Sequence, residues 1–252
     1  TAHEVASRLS YFLWSSLPDE PLRSVADSGV LLKQGELRKQ FARMLADEKS
    51  SRFSREFSTF WLDLNAVDRV AVNPQYYGKF DNDLKPDMVA ETQEFFQEIL
   101  QSKTSALQLL ESDFTMANAV RAKHYGLTGP KSQRYERGPL NGQRPGGLLG
   151  HASVLLAGSD GADSHPIKRA VWIRERLLND PPKPPPPDVP DLNESVPDLA
   201  KLTIREQLAV HREKAACADC HRSIDPWGIA LEHYDAIGLW RDRSARGNDN
   251  IS

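Results

Sequence analysis

Apolar side chains recur at three- and four-residue intervals through the first half of the chain, the period of helices with one buried stripe. Val5, Leu9, Phe12 and Leu13 form one stripe, and Leu37, Phe41, Met44 and Leu45 a second. Phe53, Phe57, Phe60, Trp61 and Leu64 make a third with an aromatic face. A longer fourth carries Met88, Phe95, Phe96, Ile99 and Leu100, with Pro86 placed for a first helical turn. Thr115 to Tyr125 predicts a further helix, stopped at Gly126. No strand-type alternation of Val, Ile and Thr runs for any useful length, so residues 1–126 are expected to be an all-α bundle whose stripes are core.

Past Gly126 the pattern changes. Gly, Pro, Ser and Asp dominate as far as Pro166, which predicts loops around one short apolar piece, Leu148 to Leu156. Ser164-His165-Pro166 introduces a helix with Ile167, Val171, Leu177 and Leu178 on one side. The prolines from Pro181 to Pro187 then demand extended polyproline II, a stiff spacer. Residues 127–201 therefore read as a connector. After it, Thr203-Ile204-Arg205-Glu206 is a capping box opening a helix on which Ile204, Leu208, His211 and Ala215 share a stripe. Asp225-Pro226 resembles an N-cap and first-turn pair for a last helix with Trp227, Ile229, Leu231 and Tyr234, ended by Gly238.

Composition narrows the class. Of 252 residues 39% are hydrophobic, and five Trp, six Tyr and nine Phe need burial, which excludes disorder for most of the chain. Thirty-two basic against 35 acidic side chains, net −3, supply no electrostatic case for nucleic acid. No apolar run approaches the roughly 20 residues of a membrane span. The chain opens Thr1-Ala2-His3-Glu4 and closes on a polar stretch, so both ends are expected to be cuts through a longer polypeptide, and no targeting signal can be read.

The two cysteines sit three residues apart, in Cys217-Ala218-Asp219-Cys220-His221. C-x-x-C-H is the attachment signature of c-type haem. Two thiols one helical turn apart add across the porphyrin's two vinyl groups, and the adjoining imidazole meets the iron. Zinc would want four ligands and a second paired half, which the sequence lacks. A thioredoxin-like pair needs a βαβ setting. A disulfide or two idle thiols is the remaining plain reading. Residues 202–252 are thus expected to be a small cytochrome-c-like unit with one covalent haem c bound by Cys217, Cys220 and His221, with Trp227 against its apolar face.

The second axial position is open to His, Met or nothing. Met44, Met88 and Met116 all lie far upstream, and His211, on an inward stripe six residues before Cys217, is the first candidate. A core histidine satisfied by a carbonyl is the equal alternative. His151 and His165, in the Gly-rich loops, come next, and then His233. Arg222, Arg241 and Lys168 are candidates for the propionates, although each reads as readily as an ordinary solvated charge.

Several stretches carry a family resemblance: Ala6 to Glu20 (ASRLSYFLWSSLPDE), Lys123 to Gly126, Ser164 to Arg169, the Pro-rich run, and Cys217 to Arg241 (CADCHRSIDPWGIALEHYDAIGLWR). Together they resemble large secreted cytochrome-c-like proteins of the planctomycete type, in which domains of unknown function surround a haem-c motif. The resemblance implies a mainly helical, periplasmic or cell-surface protein with flanking domains in the same chain. It carries the haem role to Cys217, Cys220 and His221. Relatives often have Met where Ile224 stands, so no ligand is expected there. An electron-transfer module with a redox partner protein is the leading functional expectation. The alternatives are a peroxidase-like haem enzyme with an open distal site served by His151, His165 or Asp163, and a non-redox surface module with a closed C-x-x-C disulfide.

Overall fold

A computed structural model describes residues 1–102, 104–142, 144–183, 202–213, 215–243 and 251. The chain begins with α1 (Ala2–Trp14), α2 (Glu20–Asp27), α3 (Gln34–Ala46), α4 (Ser50–Leu62), the single turn α5 (Ala66–Arg69) and the long α6 (Leu84–Ser102). Strand β1 (Phe114–Ala117), α7 (Ala119–Tyr125) and strand β2 (Glu136–Pro139) follow, then α8 (Ala152–Ala157), α9 (Pro166–Arg176), α10 (Ile204–His211) and α11 (Ala215–Ile229). Most of the expected polyproline spacer lies outside the described residues.

The first helices start where local chemistry dictates. Thr1 caps α1 through a capping box with Glu4, and Asp19 caps α2 by accepting from the Leu22 N–H at 3.1 Å. Ala2, Ala6, Leu13 and Trp14 of α1 pack with Leu22, Ala26, Leu31 and Met44 in one core, where the Trp14 indole donates to the Met44 carbonyl at 2.9 Å. A second core joins Leu62, Leu64, Phe95, Ile99, Phe114, Met116 and Leu148, so α6 lies at the centre of the molecule.

The α4 stripe differs from expectation. The buried face of this helix is Ser50, Ser54 and Ser58 with Leu62, set against α6. Small side chains let the two helices approach closely; Gln97 and Gln101 partner the Ser50 and Ser54 hydroxyls, and Ser58 donates to the Ser54 carbonyl. Phe53, Phe57 and Trp61 turn to a half-buried aromatic row with Phe12 and Phe96, and Phe60 is 84% exposed.

The chain is mostly helical, not all-α. Phe114–Ala117 pairs antiparallel with Glu136–Pro139, Phe114 opposite Pro139 and Ala117 opposite Glu136. The expected helix from Thr115 is therefore strand to Ala117, and only Ala119–Tyr125 is helical, capped by Asn118 and stopped by Gly126 in the left-handed region. Neither strand has β-forming composition on both sides. Burial of all four β1 residues against α6 explains the pairing instead.

Helix α9 joins the halves. Its Trp172 indole donates to the Leu62 carbonyl at 2.9 Å, and Trp61 donates back to the Arg176 carbonyl at 2.6 Å. Its buried positions are Pro166, Arg169, Ala170 and Ile173, not the expected Ile167–Val171 side, because this face receives α11. Ile167 and Val171 line a groove of about 430 Å³ with Ala66, Val70 and Trp172.

Candidate functional site around the C-x-x-C-H helix

The capping box that the sequence predicts is formed. Thr203 Oγ1 accepts from the Glu206 N–H, and Glu206 accepts from the Thr203 N–H at 2.8 Å. The helix it starts, α10, carries Leu208 and His211 to its buried side. Helix α11 then runs unbroken through Cys217, Cys220 and His221 to Ile229.

That continuity corrects two expectations. Asp225 and Pro226 do not open a new helix; Pro226 sits inside α11 and Asp225 is fully buried. Helix α11 ends at Ile229, and Gly238 lies in a later turn at φ 81°, where a Cβ would stand 2.7 Å from Ala152 Cα. Gly228 is where α11 meets α9: a Cβ there would fall 1.9 Å from the Pro166 carbonyl oxygen.

At about 100° per residue, Cys217, His221, Ile224, Asp225 and Gly228 share one face of α11, whereas Cys220 and Trp227 share a flank two turns apart. Cys217 is buried, Cys220 is partly exposed, and the two sulfurs are not bonded to each other. Trp227 is 43% exposed on the flank of Cys220. The Cys220 carbonyl accepts from the Ser223 hydroxyl at 2.9 Å, and Ser223 accepts from Arg174 of α9 at 3.0 Å.

His221 lies beside Asp225, one turn on. Its Nδ1 stands 2.8 Å from Asp225 Oδ1, and the other carboxylate oxygen is 3.5 Å from Arg212 Nη1. His211 comes into the same site, with its ring centre 4.5 Å from that of His221 at 68°, edge against face. The structure thus brings together Cys217, Cys220, His221 and His211, and adds Asp225 and Arg212, which the sequence reading missed. The i, i+4 spacing of His221 and Asp225 was the available signal, and the Asp-Pro cap pattern concealed it. Among the described residues no group of three or more His, Cys, Asp or Glu is placed to hold a metal ion.

The other candidates are placed elsewhere. His151 is buried against Phe95, with Nδ1 2.9 Å from Thr92 Oγ1. His165 caps α9, and His233 stacks on Trp240 at 4.9 Å. Arg241, a propionate candidate, pairs with Asp163, Ser164 and Glu232. Lys168 donates to the Ser159 carbonyl, and Arg222 is exposed on α11.

The segment after α11 is a scaffold. Buried Arg169 donates to the carbonyls of Leu231, Tyr234 and Asp235 at 2.7–2.9 Å and to that of Leu155 at 3.3 Å. Burial lowers its pKa to about 10, so it stays cationic at neutral pH. Asp235 Oδ1 accepts from the Ile237 and Leu239 N–H groups. Among the described residues no helix is long and apolar enough to cross a membrane.

Two family models match the chain. Residues 145–244, which include the motif helix, match PSCyt3, a protein family of unknown function (DUF1588). No curated protein and no solved structure matches the chain. Residues 1–127 match PSD4, a protein family of unknown function (DUF1592). Both are planctomycete-type, cytochrome-c-associated domains. The match over residues 1–127 places the chain in the DUF1592 family, and Cys217 to His221 lie within the stretch that matches DUF1588.

Proposed function

We propose that this chain is the haem-c-bearing part of a larger extracytoplasmic electron-transfer protein. The observation that carries the reading is the donor set on α11. Two unbridged thiols stand one turn apart, followed at once by an imidazole whose Nδ1 already faces a buried carboxylate. That set fits a c-type haem: Cys217 and Cys220 would hold it through thioether bonds, and His221 would offer Nε2 to the iron. A bound haem supplies reversible one-electron chemistry at iron. The chain's own residues anchor, orient and partly bury it, with Trp227 on the outer flank. For His211 to serve as a second axial ligand, its ring must leave the edge-to-face contact with His221. Periplasmic or surface location follows from the reading, since haem c is attached outside the cytoplasmic membrane.

Expression in a host that matures c-type haem tests it. Intact mass should rise by about 600 Da, the size of one covalent haem, and Cys217→Ala with Cys220→Ala should abolish the gain. An unmodified mass under those conditions sinks the proposal. A six-coordinate low-spin spectrum that ignores carbon monoxide and cyanide supports a carrier. Ready ligand binding with peroxide turnover means an enzyme instead.

A further inference from the structure

We infer that Asp225 is a positioning residue that holds His221 with its proton on Nδ1, presenting Nε2 as an electron-rich donor. The inference rests on the haem reading for its consequence but not for its geometry. A carboxylate can only accept, so the 2.8 Å contact between His221 Nδ1 and Asp225 Oδ1 assigns the proton to Nδ1. In the neutral ring Nε2 then carries the lone pair. Neutral imidazole in water prefers the opposite tautomer, so the protein makes the choice.

Three features support a built arrangement over a chance contact. Asp225 is fully buried, a costly place for a carboxylate unless it is paired. Arg212, at the end of α10, stands 3.5 Å from its second oxygen and holds it across the helix boundary. The His211 ring packs against His221 from the same helix end, restricting ring rotation. A ligating histidine that donates its other N–H to a carboxylate is a more basic ligand, and such partners fix both tautomer and ring orientation. An electron-rich donor favours ferric over ferrous iron, so Asp225 lowers the reduction potential.

Two measurements test this separately from haem attachment. In the apoprotein, ¹⁵N spectroscopy of labelled histidine should show His221 wholly as the Nδ1–H tautomer. Asp225→Asn, which keeps an accepting oxygen, should preserve that tautomer; Asp225→Ala should give a mixture. In the loaded protein, both variants should retain the covalent mass gain yet shift the reduction potential upward. Tautomer control with no haem in the wild type would fail the functional proposal and leave the pairing standing. Normal haem attachment with an unchanged potential in Asp225→Asn overturns the inference. Should the variants not fold, the wild-type apoprotein decides: an Nε2–H tautomer at His221 overturns it.

Discussion

Arg121 and Glu91 form an ion pair sealed from water, with Nη2 and Oε2 2.8 Å apart and both side chains at most 1% exposed. The pair ties α7 to α6, and Thr115 of β1 and Tyr125 of α7 add hydrogen bonds to the same carboxylate at 2.6 and 2.7 Å. Burial by itself would raise the Glu91 pKa, but Arg121 and these donors hold it down at about 2.

Breaking this pair from one side should be severe. Arg121→Leu or Glu91→Leu leaves a buried charge alone and should cost about 3–5 kcal/mol, whereas the double variant should lose less than the sum. Chemical denaturation of the four proteins measures the coupling. Because the folded value lies below the ordinary 4.5, the pair's contribution is intact at neutral pH and is lost as pH falls from about 4.5 towards 2.

Two histidines set an earlier acid limb. Burial lowers His151 to about 4, and burial with the Arg121 charge nearby lowers His124 to about 4. The unfolded chain therefore binds more protons between pH 6.5 and 4, so stability is present above that window and falls through it. Each histidine should contribute a slope of about 1.4 kcal/mol per pH unit there. Urea unfolding of His151→Leu should show that slope reduced by one proton's worth; an unchanged slope means His151 is not held neutral.

The scaffold after α11 depends on one guanidinium. Arg169→Lys keeps the charge but cannot reach four carbonyls set around a planar fork, and should lose about 2–4 kcal/mol. Amide exchange should quicken between Leu231 and Arg241 more than in α1–α4. Uniform change across the chain would argue against a local clamp.

Gly228 and Gly35 should respond in opposite directions. A Cβ at Gly228 would collide with the Pro166 carbonyl, so Gly228→Ala should push α11 from α9 and cost at least about 1–3 kcal/mol. At Gly35, early in α3, a Cβ meets nothing within 4 Å, and Gly35→Ala should stabilise by about 0.5 kcal/mol. Thermal unfolding of the two variants checks both signs.

Local chemistry was legible along the chain. The Thr203 capping box, the Gly126 stop and the helical character of α1, α3 and α6 each follow from neighbours within one or two turns, as does the spacing of Cys217, Cys220 and His221, although Phe12 and Phe41 of the expected stripes are exposed. Tertiary packing decided which face of each helix is inside. In α4 the serines take the face set against α6 while Phe53, Phe57 and Trp61 pack beside it on Phe96 of that helix, and in α9 the Arg169 side won because α11 and the Leu231–Asp235 carbonyls lie over it. The hairpin formed from poor β-formers because Phe114–Ala117 needed backbone partners while buried. Asp225 shows the same competition at the site. Its residue type and following proline spelled a helix start, yet one turn of helix placed it under His221, where a buried carboxylate gains more from an imidazole and a guanidinium than from the backbone.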